Sequence, residues 1–178
     1  MTNILFNSKH LKEYASYGII AGLSHVLSVW YFLYDSNYNT SAVLYIGSIF
    51  FMFVIFIYAL KLTKRRPDHY STWVMIIMGQ VAVVVGIIVS VIGSIILCCF
   101  YLPEFVNGGS NDDFLLNAPG SLSVKNSGTL ESIFLTAIFV NYAAGAFISA
   151  MIAYAGKPNQ TEDQTPTIFE EPAQQKNL

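Results

Sequence analysis

Four long apolar runs alternate with short polar stretches along this chain. They occupy residues 15–34, 42–60, 72–102 and about 133–154. No Asp, Glu, Lys or Arg falls inside any of them. A helix needs roughly 20 mostly apolar residues to cross a hydrocarbon core about 30 Å thick. Each run meets that length, and each is apolar all round rather than along one stripe, which soluble core helices rarely are. In lipid every backbone N–H and C=O must be satisfied internally, so each run is expected to be helical. The alternation that marks barrel strands is missing. The expected fold is therefore all-α, a four-helix transmembrane bundle.

The connections agree with four spans. Residues 35–41 form a short polar turn, with Ser41 placed to cap the second helix. Lys61, Lys64, Arg65, Arg66, Pro67 and Asp68 crowd the link between the second and third runs. Pro103 ends the third run, and residues 103–130 form a longer loop rich in turn chemistry, such as Gly108-Gly109 and Pro119-Gly120. Thr129 and Glu131 suit the start of the fourth helix, where a carboxylate faces the positive end of the dipole. The membrane domain is thus residues 1–155. Residues 156–178 are rich in Gln, Glu, Thr and Pro and are expected to be a disordered tail. Lys9 and Lys12 precede the first run as in a signal peptide, but no small-x-small cleavage site follows it, so an uncleaved span is expected.

Charge adds orientation. The chain of 178 residues carries only 11% charged residues and a net charge of −2, so nothing global points to nucleic acid. Eight of the nine Lys and Arg lie on one side of a four-span topology: Lys9, Lys12, Lys61, Lys64, Arg65, Arg66, Lys157 and Lys176. The other side holds Lys125. Positive residues near span ends stay cytoplasmic, so both termini are expected in the cytoplasm (N-in, C-in). Tyr31, Tyr34 and Tyr45 then fall near the outer interface and Trp73 near the inner one, as interfacial belts do.

Small residues mark the packing faces. The first run holds Gly18 and Gly22, the third Gly79, Gly86 and Gly93, and the fourth Gly145 and Ser149. Such residues let helix backbones approach where lipid removes the hydrophobic driving force. They serve either packing within one bundle or a dimer seam.

Three polar side chains lie deep in the runs: His25, Gln80 and Asn141. His25 follows Gly18 and Gly22 at helical spacing, and Asn141 sits one turn before Gly145. Counting from the run ends puts His25 and Asn141 near the middle and Gln80 nearer the cytoplasmic end. An intramembrane ionisable residue is a functional-site hypothesis. The plainer alternative is interhelical hydrogen bonding worth about 1 kcal/mol.

Other chemistry is sparse. Coupling through an intramembrane carboxylate has no residue to use. Small multidrug exporters share this size but rely on a Glu in the first span, which is absent here. No HExxH, GxSxG or P-loop occurs. Cys98 and Cys99 are adjacent and lack CxxC spacing, so no zinc site is expected of them, and a membrane enzyme using this pair or the outer loop is the weakest of the readings kept open. Asp112 and Asp113 read as turn residues. The sequon at Asn39 is discounted for its nearness to the membrane. No catalytic residue, metal site or cofactor is expected. Lys61, Lys64, Arg65 and Arg66 read first as a topology determinant, with contact to anionic lipid head groups as the alternative.

Several stretches together carry a resemblance. Tyr17-Gly-Ile-Ile-Ala-Gly22, the basic turn at Lys61 to Arg66, Met78-Gly-Gln with Pro103 beyond it, and Ala143-Ala-Gly-Ala-Phe147 with Lys157-Pro-Asn-Gln160 resemble a group of small four-span proteins of unknown function from Gram-negative bacteria. The resemblance covers roughly residues 14–160. It implies an inner-membrane location and brings no catalytic residues. The expected role is a non-enzymatic accessory or interaction subunit, with the lipid bilayer, a second copy or another membrane protein as partner. The alternative is a small transporter or channel subunit that acts as an oligomer, lined by His25, Gln80 and Asn141.

Overall fold

A computed structural model describes residues 8–65, 72–102, 116–117 and 127–156 of the chain. Helix α1 spans Ser8–Asp35, α2 spans Ala42–Arg65 and α3 spans Thr72–Tyr101. The fourth span is broken into three pieces: α4 (Ser127–Leu135), a π-helical turn (Thr136–Val140) and α5 (Asn141–Ala155). Four helical stretches are long and apolar enough to cross a membrane, and no named strand occurs among the described residues. Helix α2 continues past the apolar run through Lys61 and Lys64 to Arg65. Long basic side chains favour helix and reach water from its end, so the apolar run ends before the helix does. The fourth span likewise starts at Ser127, ahead of the apolar run.

The helices do not ring the bundle in chain order. Helix α1 packs on α2 and α3, and the fourth span packs on the same two helices. Helices α2 and α3 approach across the short diagonal, which leaves α1 and α5 opposite each other. Helices α1 and α3 run parallel: Gly18 lies against Ala82 and Val85, and Gly22 against Gly86 and Val89. Helices α2 and α5 are also parallel, with Gly145 beside Phe51 and Gly156 beside Thr63. The start of α1, the end of α2, the start of α3 and the end of α5 therefore share one end of the bundle, here called the basic end.

At the other end a 3-10 turn, Tyr38–Thr40, joins α1 to α2. Asn37 caps this turn, its side chain accepting from the Asn39 N–H at 3.0 Å. Ser41 keeps a helical backbone (φ −54°, ψ −26°) and closes the turn instead of capping α2 with its side chain. Leu116 of the long loop pairs with this corner, donating to Ser36 O at 2.9 Å and accepting from Tyr38 N at 3.0 Å. Ser36 and Asn117 take positive φ there (50° and 60°), a conformation that polar residues in turns tolerate. The rest of residues 103–126, with Asp112, Asp113 and Lys125, lies outside the described residues, as do Arg66, Lys157 and the tail.

The core divides into two apolar clusters. Toward the basic end, Tyr14, Ala21, Phe51, Ile55, Tyr58, Met78, Val83 and Ile148 pack together. Toward the opposite end, Val29, Phe32, Leu33, Leu44, Cys98, Leu102 and Ile133 form the second. The outward faces are apolar, with Phe100, Phe139 and Phe147 among the most exposed residues. A surface of this kind suits lipid and would aggregate in water. Tyr31, Tyr34 and Tyr45 are exposed at one end and Trp73 at the other, in the places belts require.

Candidate functional site

Between the two apolar clusters the bundle buries a polar layer. His25 and Ser28 come from α1, Ser48 from α2, Ser90 and Ser94 from α3, Thr136 from the π-helical turn and Asn141 from α5. His25, Ser90, Ser94 and Asn141 are all 0% exposed. Spacing along each helix explains the level. His25 and Ser28 share a face at i, i+3, and Ser90 and Ser94 share one at i, i+4. Gly47 lets α2 come close to Ser28 and to the His25 backbone.

His25 Nδ1 and Ser90 Oγ share a hydrogen bond of 2.7 Å. Most hydroxyls in the spans bond their own helix, as Thr136 does to Ser132 O and Ile133 O and Ser24 to Ala21 O. Ser90 differs, since its one bond among the described residues goes to the imidazole. Donation from the hydroxyl into Nδ1 uses the proton of one group and the lone pair of the other. That assignment puts the ring proton on Nε2, which is buried and has no partner among the described residues.

Asn141 sits where the fourth span loosens. Its backbone N–H reaches Thr136 O and Ile138 O, skipping the usual i−4 acceptor, Ala137 O. Its own side-chain Nδ2 then donates to Ala137 O at 3.2 Å. The asparagine thus repairs the carbonyl that the π-helical turn leaves over, a need that lipid makes acute. Oδ1 of the same side chain is buried and unpartnered. Ser94 Oγ is in the same state.

The register places these groups together. Gly145 on α5 packs on Phe51 and Val83, so its face looks between α2 and α3, and Asn141 lies one turn further along it. His25 looks between the same two helices from α1, by way of Ser90 and Gly47. His25 and Asn141 therefore occupy one level on opposite helices, and each has one buried polar atom, Nε2 and Oδ1, without a partner among the described residues. No group of three or more His, Cys, Asp or Glu side chains able to hold a metal occurs among the described residues.

Gln80 stands apart from this layer. Its Nε2 donates to Ser149 Oγ at 2.9 Å and to Ala146 O at 3.4 Å, two turns nearer the basic end. Gly79 lies beside the same serine. Gly18, Gly22 and Gly86 line the α1–α3 contact, Gly93 receives Val26, and Gly145 receives Val83. All seven small residues that marked packing faces lie at contacts within one bundle. Cys98 is buried and Cys99 exposed, both as free thiols.

At the basic end Lys61 lies 3.9 Å from Glu13 and donates to Tyr17 Oη at 3.3 Å, with Nζ 5.0 Å from the Tyr17 ring centre. Lys64 is exposed. Helix α2 ends at Arg65.

Sequence reasoning singled out His25, Gln80 and Asn141 but not their partners. Ser90 was visible only as a neighbour of the glycines, and Ser48, Thr136 and the π-helical turn carried no signal of their own. No protein-family model, no curated protein and no solved structure matches this chain.

Proposed function

We propose that this protein is a non-enzymatic, membrane-embedded accessory or interaction subunit, N-in and C-in, of the kind found in bacterial inner membranes. One observation carries the proposal. The deep polar side chains turn inward and are engaged within a single bundle, while the surface offered to surrounding lipid or to a partner helix is apolar. His25 and Asn141 are fully buried, so neither is positioned to line an axis between copies. This favours the accessory role over a channel built by oligomerising on these residues. Charged residues are confined to the span ends and connections, where they meet head groups, water or a partner.

The test compares the full chain with a chain truncated after Gly156, each expressed at native level and extracted in mild detergent. A membrane-protein partner is expected to co-purify with the full chain and to be lost on truncation. Proton or solute flux through liposomes that hold the purified chain alone would instead establish the transporter alternative. Reporters fused after Leu178 and within residues 103–115 check orientation. Activity of the first outside the cell would overturn it.

A further inference from the structure

We infer that the groove between α1 and α2 at the basic end is a binding site for one anionic glycerophospholipid. Its phosphate would sit at Lys61 and Lys64, and one acyl chain would lie over Ile57 and Leu60. The inference rests on the membrane-embedded architecture and is independent of the accessory role.

The groove measures about 420 Å³ and is lined by Tyr17, Ile57, Leu60, Lys61 and Lys64. That volume falls within the range of roughly 300–1,000 Å³ usual for small-molecule sites. Its composition is graded along α2. Ile57, 41% exposed, and Leu60 supply apolar wall toward the bundle centre. Lys61 and Lys64 follow on the next turn, at the end where the helix leaves the apolar run. A lipid has the same order, chain first and phosphate last, along the same direction. A soluble anion would have no use for the apolar half, and a bare acyl chain none for the lysines.

The lysine head group is held in place. Tyr17 packs against Tyr58 with ring centres 5.1 Å apart, and it accepts from Lys61 Nζ at 3.3 Å. An ammonium has three N–H groups. One goes to Tyr17 and one leans toward Glu13 at the 3.9 Å limit of an ion pair, which leaves one for a phosphate oxygen. Lys64 makes no ion pair among the described residues. Two ammonium groups face one carboxylate, so the mouth of the groove is net positive. It discriminates against the choline or ethanolamine cation of a zwitterionic lipid and in favour of a head group with no cation.

The experiment uses the full chain in detergent, exposed to equal amounts of phosphatidylglycerol and phosphatidylcholine and read by native mass spectrometry. A single tightly held phosphatidylglycerol is expected. Each lysine near an anionic surface contributes about a factor of five in affinity, so Lys64→Gln should lower the preference about fivefold. Lys61→Gln should do the same, with its thermal unfolding recorded to show that it folds. Ile57→Trp should fill the apolar wall and reduce retention while both lysines remain. Lys12→Gln, an exposed lysine outside the groove, should change nothing. Equal retention of the two lipids would overturn the inference. So would an equal loss in Lys12→Gln, which would mean diffuse attraction, or full displacement by inorganic phosphate, which would mean that the apolar wall is idle.

Discussion

The two sides of α3 are packed by different rules. Toward α1, at the basic half of the contact, glycine meets backbone: a Cβ placed on Gly18 or Gly22 would lie 2.6 Å from Ala82 O or Gly86 O, whereas Gly93, further along, meets the Val26 side chain. Toward the fourth span, glycine meets side chains: a Cβ on Gly79 would lie 2.7 Å from Ser149 Cβ, and one on Gly145 would lie 2.7 Å from Val83 Cγ2. A side chain can turn or be shortened, whereas a carbonyl oxygen moves only with its helix. The α1–α3 contact is therefore a rigid seam, and the contact with the fourth span is one of knobs in holes. The π-helical turn lies on the forgiving side, where a helix with one residue too many for its register has room to adjust.

The largest expected effect follows from that contrast. Gly22→Ala should cost about 3 kcal/mol, the upper part of the range for overpacking, measured by unfolding in mixed micelles. Adding Val89→Ala should not restore it, because Gly86 O at 2.6 Å and the Cβ that alanine keeps, at 2.7 Å, both remain in the way. Recovery in that double variant would erase the distinction between the two sides.

Asn141→Leu comes next. It removes the donor to Ala137 O and leaves a carbonyl unsatisfied, at an expected cost of about 2 kcal/mol. Asn141→Asp, neutral or charged, should not recover it fully, because the amide N–H₂ is what the carbonyl needs. Wild-type stability in Asn141→Leu would mean that the π-helical turn is held by packing alone.

Gly145→Ala should cost about 1–2 kcal/mol, and Val83→Ala should recover most of the loss by vacating the space. Failure of that rescue would place Gly145 with the rigid seam. The smallest effects belong to the hydrogen bonds between helices. Gln80→Ala should cost about 0.6 kcal/mol, the average for such bonds in membranes. His25→Leu should cost up to about 1.7 kcal/mol, because it also strands Ser90 in an apolar layer. No change in stability for His25→Leu would show that the layer is not held together by this bond.

Much of the fold was legible because lipid imposes one strong rule on length and polarity. The four spans, their helical nature and the small residues at contacts follow from it. Of the site, His25, Gln80 and Asn141 were legible as polar interruptions of apolar runs. Their depths were legible too, since counting from the run ends puts His25 and Asn141 near the middle and Gln80 nearer one end; their partners were not, because Gln80 meets Ser149 and His25 meets Ser90 only through the packing of separate helices. Nothing local in residues 136–141 separates a π-helical turn from ordinary helix, since both satisfy the same apolar pattern.

What the chain order of residues determined by itself was the solvent each segment prefers, set by transfer free energies that act residue by residue. What the tertiary structure decided was which helices are neighbours. A glycine face records that something comes close but not what. Only assembly chose α3 over the sequence neighbour α2 as the partner of the Gly18–Gly22 face. It did so because the carbonyl oxygens of Ala82 and Gly86 can settle on α1 only where Gly18 and Gly22 present bare Cα hydrogens.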